Sequence, residues 1–230
     1  MTTKAVHANG AEKATFSQKV NDFLTKNRVV LVTVLAVLLC GFVITIAYIT
    51  ITGNSNEKAF VSVDTVLENW ENLKSAKDQS NLSVKEDDMI ATLKSVANAN
   101  KNSYAGERAL NTMAEIYFSR KDWKNAQEQY IAAGKALPKG YTIGINYYNA
   151  AVCADELGNQ EEALGYYTKA SEIENFPLKS RAMFNIGRLQ EQLSRKTEAI
   201  ATYGKMAEKY PDDQWTLLAK SRTIDLQLQK

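Results

Sequence analysis

Residues 29–52 read VVLVTVLAVLLCGFVITIAYITIT, and no charge occurs between Arg28 and Glu57. A helix of this length rises about 36 Å at ~1.5 Å per residue, enough to cross a hydrocarbon layer of ~30 Å with some tilt. Fifteen of the 24 residues are Val, Leu, Ile or Phe. On an insertion scale of roughly −0.3 to −0.6 kcal/mol each, they favour the bilayer by about 5 kcal/mol or more. Core helices of soluble proteins seldom run so far without a charge, because one of their faces meets water. The stretch is expected to be one membrane span, which splits the chain into a short segment before it and a long one after.

The flanking charges predict the direction of that span. Residues 1–28 carry Lys4, Lys13, Lys19, Lys26 and Arg28 against Glu12 and Asp22, a net charge of +3, whereas Lys58 is the only basic residue between the span and Lys74. Positive charge is retained on the cytoplasmic side, so 1–28 are expected in the cytoplasm and 53–230 across the membrane. The apolar run is longer than the ~7–15-residue core of a cleaved signal peptide and is followed by no small-x-small site, so an uncleaved signal anchor is expected. VLLCG at 37–41 loosely resembles a lipobox. However, the apolar run continues from Phe42 to Ile51, and Leu39 stands where a small residue is usual, so Cys40 reads as a buried thiol rather than a lipidated one. Residues 1–14, with the only histidine, His7, are polar and aperiodic and are expected to be disordered and solvated. Phe16, Val20, Phe23 and Leu24 share one helical face with Lys13, Lys19 and Lys26 off it. That pattern suits an interfacial helix on anionic lipid and equally a helical extension of the span.

The 178 residues beyond the span suffice for one domain with its own core. With residues 1–28 set aside, the remainder has 23 basic and 24 acidic residues, a nearly neutral balance that argues against nucleic acid, which would demand a basic face. Cys40 and Cys153 lie in different regions and cannot pair within one chain. The apolar pattern is helical throughout. Phe60, Val63, Val66, Leu67, Trp70 and Leu73 predict a helix over about 57–78, after a polar joint at 53–56. Ser83 and Glu86 have the spacing of a capping box for a second helix through Met89, Ile90, Leu93 and Val96.

Repetition then dominates. In DWKNAQEQYIAAGKALP, NQEEALGYYTKASEIENFP and KTEAIATYGKMAEKYP, the residues Ala126, Ala163 and Ala199 are separated by 37 and 36 positions, as are Tyr130, Tyr167 and Tyr203. The only three prolines, Pro138, Pro177 and Pro211, close the units, the second one two residues late. A partner helix precedes each unit, over about 108–118, 145–156 and 181–192. A small residue lets paired helices approach, the tyrosine fills the space to the next pair, and proline stops the second helix. A two-helix unit of this length and signature resembles the tetratricopeptide repeat. The resemblance implies an all-α solenoid with units near 57–100 (divergent), 104–138, 141–177 and 178–211, and a capping helix over 212–228.

The order of parts, and above all LKSVANANKNSYAGERALNTMAEIYFSRKDWKNAQEQY at 93–130, resembles single-span ancillary subunits of the bacterial Sec translocon with a periplasmic tetratricopeptide domain. That resemblance implies an inner-membrane protein whose bulk is periplasmic. Its implied partners are translocon subunits, periplasmic chaperones or exported polypeptides, and its implied role is to link export to those chaperones. The chain departs from that family in its longer basic tail and more regular repeats.

No catalytic constellation is present in the sequence: a single histidine, no glycine-rich phosphate loop, no metal spacing and no serine elbow. Acid pairs such as Asp87–Asp88 fall near helix starts, where carboxylates favour the helix dipole. A non-enzymatic binder without cofactor, metal or small-molecule substrate is expected. By resemblance to tetratricopeptide repeats, its groove would be lined by Arg108, Asn111, Glu115, Tyr148, Asn149, Asp155, Arg181, Phe184, Asn185 and Arg188. Arg181 and Arg188, seven apart with Phe184 between, form either a clamp for a peptide carboxylate or solvated arginines around a core phenylalanine. A scaffold of a cell-envelope assembly, such as a motor collar or division complex, is the competing function. An organelle import receptor with its domain in the cytosol is a third.

Overall fold

The computed structural model describes residues 15–76 and 81–228 and divides the chain into two compact units, Met1–Gly53 and Asn54–Lys230. The expectations for residues 1–14, His7 among them, and for the break after 78 fall largely outside the described residues.

In the first unit, α1 (Phe16–Lys26) begins after Thr15, whose N–H donates to the Gln18 side chain at 2.8 Å. It closes at Asn27, whose N–H donates to the Phe23 carbonyl at 3.0 Å. Phe16, Val20, Phe23 and Leu24 are all exposed. The next helix, α2 (Arg28–Ser75), contains an 18-residue window of mean hydropathy 3.0 with none of it buried. Within that stretch the Thr33 and Thr45 hydroxyls donate to the carbonyls of Val29 and Gly41 at 2.8 and 2.7 Å. Thr65, beyond that stretch, makes the same bond to the Val61 carbonyl at 2.8 Å. The polar joint expected at 53–56 is helical instead. Glycine and asparagine each cost a helix up to ~1 kcal/mol but keep their N–H, and no proline stands there to break the ladder.

In the second unit the last part of α2 is followed by α3 (Leu82–Ala99), α4 (Tyr104–Ser119), α5 (Trp123–Ala136), α6 (Ile143–Glu156), α7 (Gln160–Glu172), α8 (Lys179–Gln192), α9 (Lys196–Lys209) and α10 (Gln214–Leu228). From α3 onward each helix packs on the next, and α10 lies on both α9 and α8. No strand occurs among the described residues. This is the all-α solenoid expected from the repeat.

The periodic residues occupy the positions their chemistry predicts. Ala126, Ala163 and Ala199 are fully buried, and Tyr130, Tyr167 and Tyr203 nearly so. A Cβ added to Gly187 in α8 would stand 2.3 Å from the Tyr203 ring, so the third pair is closed by glycine where the first two use Ala114 and Ala151. The turn inside each pair is also repeated. The N–H of Asp122 donates to the Tyr117 carbonyl, Asn159 to Ala154 and Arg195 to Gln190, while Lys121 donates to Phe118, Gly158 to Asp155 and Ser194 to Glu191. This paired pattern is the Schellman closure, which needs a left-handed residue at its centre. Lys121, Gly158 and Ser194 have φ of 59°, 75° and 60°. The late Pro177 has a structural cause: α7 stops at Glu172, and the extra turn inserts Phe176 against Gly144 and Tyr148.

The divergent first pair is fastened by a buried carboxylate. Glu86, 3% exposed, accepts from Trp70 Nε1 of α2 at 2.8 Å and from Arg120 Nε at the C-terminus of α4 at 2.6 Å. Arg120 also donates to Asp87 at 2.6 Å and to the Ser83 carbonyl at 2.8 Å. The capping box expected at Ser83–Glu86 is therefore not formed. Asn81 is the N-cap of α3, without a side-chain bond, because Glu86 serves a three-helix tie instead. Below it, Val63, Val66 and Trp70 join Ile90, Leu93, Met113 and Ile116 in one core.

Candidate functional site

The first helices of the pairs, α4, α6 and α8, carry all ten residues expected to line a groove, and the structure separates them into two groups. The first lies at the N-terminal end. Arg108, Asn111 and Glu115 of α4 line a cleft of about 530 Å³ with Phe60 and Leu67 of α2, and Tyr104, Glu107 and Tyr141 complete it. Arg108 reaches Asp64 at 2.5 Å. Lys74 reaches Glu71 at 2.6 Å and sits over the Trp70 ring at 3.8 Å. Glu107, buried in the first turn of α4, accepts from Thr142 Oγ1 at 2.8 Å and Asn146 Nδ2 at 2.7 Å. Asn111 Oδ1 is buried without a hydrogen-bond partner. The Glu115 carboxyl is reachable by solvent yet walled in. Desolvation raises its pKa above the ordinary 4.5, with Lys74 and Arg108 pulling it down and Glu71 pushing it up.

The second group lies at the C-terminal end. Arg188 is paired with Asp155 of the preceding unit and donates to Asn185 Oδ1 at 3.4 Å and to Gln192 Oε1 at 3.3 Å. The guanidinium of Arg181 lies over two rings, Tyr148 at 5.6 Å and Trp215 at 5.2 Å. Phe184 is half-buried, 5.4 Å from Trp215 and 5.9 Å from Tyr203. Asn185 donates to the Tyr148 hydroxyl at 3.4 Å. The two arginines thus do not converge on one carboxylate. Asp155 already occupies Arg188, which leaves Arg181 as the cation without an ion pair among the described residues. Tyr148 differs from the expectation as well. It is 5% exposed and packed under Arg181, Tyr167 and Phe176, so it supports the face more than it lines it. Asn149 is half-buried beside it.

Sequence reasoning missed Trp215, Tyr104, Tyr141 and Glu107. Trp215 falls within the expected capping helix over 212–228, and α10 brings its ring beside Arg181 and Phe184. Tyr104 and Tyr141, 51% and 83% exposed, stack at 6.2 Å across the start of α4 and the turn before α6. They stand outside the repeat signature, and their exposure has no sequence signal. A larger cleft of about 800 Å³ between α2 and α3, along Val61, Leu73 and Met89 with Lys58, Lys85 and Asp88 also in its lining, holds none of the expected residues. Cys153 is fully buried, and burial pushes its thiol up to about 12, so it is inert at neutral pH. Among the described residues no group of histidine, cysteine or carboxylate side chains is arranged to hold a metal.

The tetratricopeptide repeat profile matches residues 146–176 and 181–213, the helix pairs α6–α7 and α8–α9. Two solved structures of nearly identical TPR-like repeats from Podosopora anserina, one a point variant of the other, superpose with a TM-score of 0.52 at 10% identity. They cover 74% of this chain and 85% and 86% of those chains, which establishes likeness of fold. A TPR repeat-containing protein of Treponema pallidum (strain Nichols) is 33% identical over 220 residues, spanning 90% of this chain and 92% of that protein. With a full-length relative of that kind and its own repeated turns, alanines and tyrosines in register, the chain belongs to the tetratricopeptide repeat family.

Proposed function

We propose that the protein is a membrane-anchored interaction module, inserted through 29–52 with residues 1–28 in the cytoplasm, whose α4–α6–α8 face receives a partner polypeptide in the periplasm. The observation that carries this reading is the composition of that face. Exposed Tyr104 and Tyr141 beside Glu115 at one end, and Arg181 at the other, present aromatic and charged groups to solvent on one face. The resemblance of 93–130 to ancillary translocon subunits supports a place beside the export machinery, handing exported chains to chaperones, and the bacterial relative fits that setting. A structural scaffold is the second reading, favoured by Leu217, Ile224 and Leu228, which form an exposed apolar stripe on α10.

Photo-crosslinking from positions 141 and 181 of the full-length protein in its native membrane tests both. Capture of translocon subunits, chaperones or exported chains is the expected result. Capture of envelope-assembly components in a fixed ratio would support the scaffold, and capture of no polypeptide would overturn the groove reading. Protease accessibility in intact and opened cells tests the orientation: residues 53–230 should be cleaved only once the outer barrier is breached.

A further inference from the structure

We infer that the cleft between α2 and α4 is a seat for a lysine or arginine side chain of a partner polypeptide. The inference rests on reading the α4–α6–α8 face as a polypeptide-binding surface and specifies what its N-terminal end selects.

The first argument is charge balance. The cations bordering the cleft are already used, Arg108 by Asp64 at 2.5 Å and Lys74 by Glu71 at 2.6 Å. Glu107 and Glu115 are left in no ion pair among the described residues, so the cleft presents an excess of negative charge. Glu107 is also oriented: Thr142 and Asn146 both donate to its Oε1, which fixes the carboxylate against the start of α6. Glu115 is desolvated by the walls around it. A carboxylate in that state gains more from an arriving cation than one in open water, since the field between them is less screened.

The second argument is the aromatic border. Tyr104 and Tyr141 stack at 6.2 Å with 24° between their planes, and both are mostly exposed, so core burial does not account for their placement. A cation beside a tyrosine face is favoured by about 0.5–1 kcal/mol at exposed sites and by more when desolvated. Rings together with unpaired carboxylates make a cation-recognising surface, and a cleft of about 530 Å³ admits a long side chain with some of its backbone. An anionic segment would meet Glu107 and Glu115 and be repelled. Arg181 at the far end of the same face has the opposite preference, so a single extended segment would be held in one direction.

The test uses the full-length protein in detergent micelles and a fluorescein-labelled nonapeptide of glycine and serine with two central arginines, read by fluorescence anisotropy. Its citrulline counterpart, similar in shape but uncharged, should bind at least tenfold more weakly. Glu115→Gln, on an exposed side chain that makes no hydrogen bond, should weaken the arginine peptide about tenfold, equivalent to ~1.4 kcal/mol, and Tyr141→Ala by two- to fivefold. Glu198→Gln, the same charge change on the exposed surface of α9, should leave binding as it was.

The inference is overturned if the two peptides bind alike, if neither binds, or if Glu115→Gln binds as the parent does while retaining its helical circular dichroism. Competition by tetramethylammonium at the same concentration as the peptide would also overturn it, since the site would then be one for small amines. Polypeptide capture from positions 141 and 181, combined with indifference to Glu115→Gln, would remove this inference alone. Absence of any capture would remove the reading beneath it.

Discussion

Arg108 and Arg181 occupy the same position of their repeats, as do Asn111 and Phe184, and Glu115 and Arg188. Their surroundings have opposite character. At the N-terminal end Arg108 is neutralised by Asp64 of α2 and the surplus is negative. At the C-terminal end Arg188 is neutralised by Asp155, and Arg181, lying on Tyr148 and Trp215, leaves the surplus positive. The middle repeat has Ile145, Tyr148 and Val152 at these positions and is neutral. The repeat thus fixes where a side chain stands, and the elements packed at each end, α2 in one case and α10 in the other, decide what it does there. Because each unit contacts chiefly its neighbours, damage at one end should remain there.

The largest effect should come from Arg120→Ala. It strands Glu86, a buried carboxylate, with only Trp70 as donor, and should cost about 3 kcal/mol. Hydrogen exchange on the full chain should show α3 and α4 losing protection while α8–α10 keep theirs. Equal loss at both ends would mean that the domain unfolds as one unit and that the ends are not separable. The mirror experiment is Gly187→Ala. Its Cβ would meet the Tyr203 ring at 2.3 Å, an overpacking expected to cost about 2 kcal/mol and to loosen α8–α10 first.

These two sites also show which parts of the structure were legible in the sequence. The alanines, tyrosines and prolines could be read because each recurs at a fixed interval and acts between adjacent helices. The tie through Glu86 could not, because its partners Trp70 and Arg120 lie far away in sequence and outside the period. The local capping-box pattern at Ser83–Glu86 suggested a different use, and tertiary partners prevailed over it. The ten positions expected to line a groove fall on α4, α6 and α8, the first helices of the pairs, as the repeat implies. Which of them are free was not legible: Arg188 reads the same as Arg181 until Asp155 and Trp215 are brought alongside. Continuity of α2 through 53–56 is not legible because polar composition reads as a break, although no residue there removes a backbone donor.

Acid should act on Glu191 and Glu115 in opposite senses. Burial alone would raise the pKa of Glu191, but hydrogen bonds from Arg222 and Tyr203 outweigh it and hold the group below the ordinary 4.5. Its contribution is present above 4.5 and is lost as pH falls through the lowered folded value. Glu115 is raised by desolvation, so its charged form is a penalty that sets in as pH rises above 4.5 through its folded value and is relieved on acidification. Acidification should therefore loosen the hold of Arg222 in α10 on Glu191, as read by exchange or by Trp215 fluorescence, and Glu191→Gln should abolish that response. At neutral pH Arg222→Ala, which removes a half-exposed partner of Glu191, should cost only about 1 kcal/mol. An acid response of α10 that persists in Glu191→Gln would contradict the role given to Glu191.

The smallest effect should be a gain, and it asks whether the ends differ in anything besides their side chains. Lys121 and Ser194 hold the same left-handed turn that Gly158 holds in the middle repeat. For a residue with a Cβ that conformation costs roughly 1–2 kcal/mol, while glycine loses about 0.5–1 kcal/mol more backbone entropy on folding. Lys121→Gly and Ser194→Gly should each stabilise by about 0.5 kcal/mol, measurable as a small rise in Tm, and the pair should be additive because the turns are far apart in sequence and share no partner. Equal gains would establish that the two ends are one backbone carrying different side chains. Unequal gains would show that α2 or α10 strains the turn it packs beside, and the contrast between the ends would then reach into the scaffold itself.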